Sequence, residues 1–514
     1  VPDLRLADGD GRVDVKGIVG EVNVDGGAGD DLVAVHNDAN TLAVLEGTLS
    51  FSGDKHRFEQ VEATETRELA GYDASTGRVG ESLVQLTNEQ GLPIYLDEKG
   101  FQSLESTITR QDGVVIQAQP VMIPQVDTTA RTLVTEASMQ TIDIAGEDEL
   151  IVLNTGTDVD VDLTITQNQV MGDFDDNGSD QTVKYDGVDI LRVGLAGGQD
   201  AVQVEGTTAR TYIESGAGDD QVIVSGSDST LDQVDGTLII DAGEGNNRLV
   251  IDDVSDTTGD TVTLDRADAL YDQAQLSELE LSDHLAARGL STADIFYTAT
   301  TGDFATGLVV QAGQGDDSIA VNNLFASDLT ELNAGAGDDD IDVNAFDVGG
   351  RSPAIVIDGQ TDDDVVDASD ASLFVTVYGS EGEDTLVGSR FDDQLFGGTG
   401  DDVVIGNNGS DLIKGGSGND WLAGDQATVT DASGNDVTSR NRADARLLAS
   451  TDGVDIDTIS GDAGDDVILG GDGGDFLYGG SATNSGSEPG TGNDTFIGDH
   501  GSVSFDSSES VVSL

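Results

Sequence analysis

Apolar and polar residues alternate in short runs along most of the chain. Gln221-Val222-Ile223-Val224 and Asp340-Ile341-Asp342-Val343 are examples, and Leu238-Ile239-Ile240 is a more apolar run. A period of two predicts strands with one buried face. Clusters of Gly, Asp and Asn separate the runs and predict tight turns. From Gly379 the alternation becomes a nine-residue clock: GSEGEDTLV, GSRFDDQLF, GGTGDDVVI, GNNGSDLIK and GGSGNDWLA, ending at Ala423. Asp384, Asp393, Asp402, Asp411 and Asp420 hold the sixth position. Leu386, Leu395, Val404, Ile413 and Leu422 hold the eighth. The clock resumes at Asp452 as DGVDIDTIS, GDAGDDVIL and GGDGGDFLY, then as PGTGNDTFI, with Asp457, Asp466, Asp475 and Asp494 in phase.

A nonapeptide of this form has a direct physical reading. About six residues make a turn in which Gly supplies positive φ and close backbone approach. Three make a strand whose middle side chain points inward. Two nonapeptides form one coil, and stacked coils form a parallel β-roll. Neighbouring turns then lie about 4.8 Å apart. Their carbonyl oxygens and sixth-position carboxylates converge as an all-oxygen site, which favours calcium over softer metals.

These motifs resemble the calcium-binding repeats of the repeats-in-toxin family, GGxGxDxUx with U apolar, over roughly 379–423 and 452–498. The resemblance implies that the first six positions of each repeat bind calcium and that the Asp bridges adjacent turns. It implies side-chain contacts from Asp384, Asp393, Asp402, Asp411, Asp420, Asp457, Asp466, Asp475 and Asp494. Phe391, where the pattern has its fourth-position Gly, departs from it.

Related motifs recur singly upstream, around Asp31, Asp220, Asp317, Asp339 and Asp363, with weaker versions at Asp200 and Asn247. The positions 317, 339, 363 and 384 are 22, 24 and 21 residues apart. Such spacing predicts one calcium turn per coil of a wider parallel β-helix, in a single row along one edge. The fold class is therefore all-β: a parallel β-solenoid in which a β-helix passes into a calcium β-roll, with a small helical or irregular insertion. The expected segments are 1–140, β-rich with one calcium turn and room for an inserted domain; 141–378, the wide helix; and 379–505, the roll, followed by a tail at 506–514. Residues 264–288 carry helix-like spacing at Leu270, Ala274, Leu281 and Leu285. Residues 425–451 interrupt the clock as an exposed loop with Arg440, Arg442 and Arg446. Asp173 to Gly178 resembles the start of an EF-hand loop, but Lys184 stands where that loop needs Glu.

Charge sharpens this picture. The 514 residues include 100 Asp+Glu and 22 Lys+Arg, a net charge of −78. Such a chain repels itself unless cations neutralise it. Nucleic acid is excluded as a partner, because phosphate binding needs a basic footprint. With no Cys, disulfides and thiolate metal sites are excluded. No apolar run is long enough to span a bilayer, so membrane insertion is not expected. The opening Val1-Pro2-Asp3 fits a piece of a longer protein.

Neither G-x-S-x-G nor H-E-x-x-H occurs, and His36, His56, His284 and His500 are scattered. Acid pairs are too abundant to single one out as catalytic. Trp421 and Tyr478 stand at outward positions of the clock. The expected function is a non-enzymatic, secreted, calcium-binding structural or adhesive protein of the cell surface or matrix. It would be exported by type I secretion and fold on calcium outside the cell. Self-association into a filament or lattice and contact with a surface glycan are the expected partnerships. The alternative is the calcium-dependent accessory region of a secreted protease, lipase or polysaccharide-modifying enzyme.

Overall fold

The computed structural model describes strands, by their backbone, in segments between Asp3 and Ser513. It describes residues 148–174 (apart from 157), 180–267, 284–324, 329–344, 354–427, 455–480 (apart from 472) and 493–497 in greater detail. Side chains are also described at 22–24, 31–35 and 49–52. The chain divides into two units, one of 1–55 with 145–514 and one of 56–144.

The larger unit is a solenoid of two 17-stranded sheets. The chain crosses from one sheet to the other and back, and each strand pairs in parallel with its counterpart one coil later. In the first sheet Ala201–Val204, Gln221–Val224 and Arg248–Asp252 follow one another. In the second, Ser318–Asn323, Asp340–Phe346, Val365–Asp367 and Thr385–Val387 do so. Each sheet also carries an antiparallel strand, Gln169–Gly172 in the first and Leu285–Arg288 in the second. The expected fold class is the one observed.

Alternation explains the core. Along Gln221–Val224, Val222 and Val224 are buried while Gln221 and Ile223 face outward. Asp340–Phe346 likewise buries Ile341 and Val343. The three-residue strands beyond turn one central residue each into the core between the sheets: Val366, Leu386, Val404, Leu422 and Ile468, all 0 % exposed. The upstream coil is thus wider by one inward residue per strand, still with two sheets. The coil shortens from 22 and 25 residues to 20 and then 18 along the ladder from Asp317 to Asp402.

The segment expected at 1–140 splits. Residues 1–55 belong to the solenoid: Asp31–Val35 pairs with Glu149–Leu153, and Leu45–Ser52 with Gln181–Asp186. Residues 56–144 are an insertion. Within it Phe58–Ala70 and Arg131–Asp143 form a 13-residue antiparallel pair.

The helix or elaborated coil expected within 264–288 is flanked by the strands Thr261–Arg266 and Leu285–Arg288, and 268–283, with Leu270, Ala274 and Leu281, lies outside the described residues. One local expectation changes. The loop expected at 425–451 begins and ends as an antiparallel pair, Ala427–Thr430 with Arg446–Ala449, while Arg440 and Arg442 lie outside the described residues. Trp421 does point away from the core, but it is only 4 % exposed. It packs with Val403, Ile405, Val467 and Leu469 on the outer face of the second sheet, where Ala427 adjoins. Tyr478 is exposed, as its position implies.

Candidate metal centre

The sixth-position aspartates form hydrogen-bonded ladders up the two edges of the solenoid. On the edge entering the second sheet, the backbone N–H of each Asp donates to the Oδ1 of the next. The run is Asp260, Asp317, Asp339, Asp364, Asp384, Asp402, Asp420, Asp466 and Asp494, at 2.6–3.2 Å. On the opposite edge Asp393, Asp411, Asp457 and Asp475 repeat the arrangement. So do Asp200, Asp220 and Asn247 upstream. Asp31 donates to Asp148 Oδ1 at the N-terminal end.

The expected single upstream row is therefore split. Asp31 and Asp148 lie on the edge entering the second sheet, Asp200, Asp220 and Asn247 on the edge entering the first, and the row returns to the second from Asp260 onward. Both edges carry it once the 18-residue coil begins. At the crossover, Asp253, Asp256 and Asp260 bring one carboxylate oxygen each within 4.8 Å of one another.

One residue is corrected. Asp364, not Asp363, is the ladder residue: it is 1 % exposed, with Gly359 in the first position of its turn. Asp363 stands one residue earlier, in a second and more exposed ladder. There the fifth-position side chain accepts from the N–H of the next coil: Asp316 from Asp338, Asp338 from Asp363, Asp363 from Glu383, and Asp401 from Asn419. This ladder, with Asp148 and Asp260, was missed in the sequence. Its signal is the acid or amide directly before the sixth-position Asp. Asp175 to Ser179 of the EF-hand-like stretch lie outside the described residues, while Phe174 is buried in the core.

Glycine makes the turn possible. A methyl group on Gly397 would lie 2.3 Å from Asp402 Oδ2 and 2.7 Å from the Gly415 carbonyl oxygen. At the fourth position, Gly400 has φ +127°, and a Cβ there would lie 1.8 Å from the Gly382 carbonyl. Carboxylate and carbonyl oxygens thus crowd the turn interior. Gly397→Ala should cost about 1–3 kcal/mol, as overpacking does, and raise the calcium concentration needed for folding. Gly474, with nothing within 4 Å of its would-be Cβ, is the control, and Gly474→Ala should leave that midpoint unchanged. Circular dichroism during calcium titration reads both.

The turns fit a hard cation. Asp200, Asp220, Asp339, Asp364, Asp411, Asp457 and Asp466 each have a buried Oδ2 without a hydrogen-bond partner. The ion pairs among the described residues, Arg192 with Glu149 and Arg288 with Asp294, involve none of them. A buried, uncompensated carboxylate is costly. Burial pushes Asp411 up to about 9, and the charges of Asp393 and Asp457 add to this against a backbone hydrogen bond. Burial likewise raises Asp364 to about 8 and Asp200, Asp339 and Asp457 to about 7. A divalent cation on these oxygens removes the penalty, and all-oxygen turns suit calcium. Asp393 differs, because the Ser389 hydroxyl and N–H, at 2.9 and 2.6 Å, bond its Oδ2. This is the repeat in which Phe391 replaces glycine.

The family model for the RTX calcium-binding nonapeptide repeat (4 copies) matches residues 378–413, 396–427 and 452–485. Among curated proteins no significant match to the chain is found. The matched repeats bind calcium, with multiple ions along the repeats. Repeats of this kind are typical of proteins sent to the extracellular space by type I secretion. No helix among the described residues is long and apolar enough to cross a membrane.

Proposed function

Because the chain carries RTX calcium-binding nonapeptide repeats, we infer that it is a non-catalytic structural or adhesive protein of the cell surface or extracellular matrix. The supporting observation is architectural. Two 17-stranded sheets run through the larger unit with the metal turns built into their edges. At about 4.8 Å per strand, each sheet extends roughly 75–80 Å. A solenoid of this kind suits a spacer or scaffold.

The C-terminal strands offer a route to self-association. Phe476 and Phe496, on the last strands of the two sheets, are 55 % and 46 % exposed. Among the described residues no further strand pairs with their outer edges, and such edges invite pairing. A surface glycan is the proposed adhesive partner. Tyr378, stacked on Phe396 at 4.8 Å and exposed on the first sheet, is the candidate platform. Electron microscopy of the purified chain in millimolar calcium should show rods joined end to end, and Phe496→Asp should shorten them. Separate monomers at every concentration would remove the filament reading and favour an accessory region of a secreted enzyme.

A further inference from the structure

One metal turn is interrupted by the chain itself. The ladder step from Asp411 to Asp457 spans 46 residues, where the step from Asp393 to Asp411 spans 18, an excess of 28. The sequence clock places Asp452 at the start of this repeat, but the structure places Gly424 there. The Gly424 N–H donates to the Leu469 carbonyl, as that of Gly406 does to Ala423. A methyl on Gly424 would lie 2.2 Å from Asp457 Oδ2, as one on Gly406 would lie 2.3 Å from Asp411 Oδ2. The fourth position is Asp455, since a Cβ on Gly473 would lie 1.9 Å from its carbonyl oxygen. The first and sixth residues of one turn thus come from opposite sides of the inserted segment.

We propose that Gly424–Asp425 and Asp455–Asp457 form a split calcium site whose occupancy fastens the root of the insertion to the roll. The proposal rests on the calcium reading of the intact turns and adds two ligands that the nonapeptide pattern does not contain. Asp457 is 0 % exposed, and its Oδ2, buried without a hydrogen-bond partner, faces Gly424 across the split. Asp425 is 2 % exposed and packs over Gly471, where a Cβ would lie 2.2 Å from its Oδ2. Asp455 Oδ2 accepts from the Gly409 N–H of the preceding turn at 3.2 Å. Besides burial, the charges of Asp475, Asp425 and Asp455 all disfavour a bare carboxylate at Asp457. An all-oxygen turn with a buried carboxylate suits a hard divalent cation. The insertion is removable in principle. Deleting 426–453 leaves Gly424-Asp425-Val454-Asp455-Ile456-Asp457-Thr458-Ile459-Ser460, a continuous nonapeptide. Asp at its second position has a precedent in Asp462, which adopts φ 68°.

The test compares the full chain with the double variant Asp425→Asn/Asp455→Asn and with the 426–453 deletion. Bound calcium is counted by equilibrium dialysis at the concentration that just saturates the wild type. Terbium emission sensitised by Trp421, the only Trp and three residues before Gly424, reads the turn locally. The double variant should bind one ion fewer and need about tenfold more terbium for its Trp421-sensitised signal, with its β-sheet signal retained. The deletion, if it folds, should bind as many ions as the wild type. An unchanged ion count and terbium titration in the double variant would overturn the split site, and so would a folded deletion that loses the ion. If the wild type itself binds no calcium, the broader calcium reading fails instead.

Discussion

Removing calcium should unfold the solenoid. In chelator the β-sheet circular dichroism signal is expected to collapse to that of a coil, and millimolar calcium should restore it cooperatively. The magnitude follows from linkage. A ligand at a hundredfold excess over its dissociation constant contributes roughly 2.7 kcal/mol per site. About five such sites match the whole stability of an ordinary domain, about 5–15 kcal/mol. Without the cation the terms reverse, because buried Oδ2 atoms such as those of Asp339, Asp364, Asp411 and Asp457 then have no hydrogen-bond partner and no cation. Extracellular calcium modules bind at about 10⁻⁴–10⁻³ M. Such turns are empty at cytosolic calcium and filled outside the cell, which suits export of an unfolded chain. A β-sheet signal that persists in chelator would refute the folding switch.

Acid should partly replace calcium. The ladder carboxylates have folded-state values raised to about 9 at Asp411, about 8 at Asp364 and about 7 at Asp200, Asp339 and Asp457, chiefly by burial. In the unfolded chain they titrate at about 3.9. The cation-free fold therefore holds more protons than the unfolded chain between these limits. Its stability is greatest at low pH and falls as pH rises through about 7 to 9. In chelator, β-sheet signal should be stronger at pH 5.5 than at pH 8. Calcium binding should strengthen across the same interval and release protons in weakly buffered solution. The opposite slope, or calcium uptake without proton release at pH 7, would show that the ladder is not the binding site. Working above the sequence pI of about 4.1 limits precipitation.

Much of this centre is legible in the sequence because its cause is local. Positive φ at the turn, a small residue facing the carboxylate and an inward residue two places on are demands within nine residues. They recur in phase wherever the coil is 18 residues long, so Asp384, Asp402, Asp411 and Asp420 were identifiable one by one. Where the coil lengthens, the phase reference weakens. In Asp362-Asp363-Asp364 three acids compete for one position, and only the hydrogen bond from Asp364 N–H to Asp384 Oδ1 selects among them. Asp260 carries too little of the motif to be recognised, yet the register of Thr261–Arg266 with Ser318–Asn323 sets it beneath Asp317.

The alternating pattern and the nine-residue clock alone determined a parallel solenoid with calcium turns, since strand period and turn chemistry act over a few neighbouring residues. Tertiary structure decided what depends on stacking. It showed that the upstream row changes edge, because the edge a turn occupies follows from the sheet its strand enters. It set 56–144 apart as an insertion, because the strands on either side pair through the same stack. It buried Trp421 on an outward face. It also joined Gly424 to Asp457, since backbone bonding between coils brings together residues that the intervening chain separates.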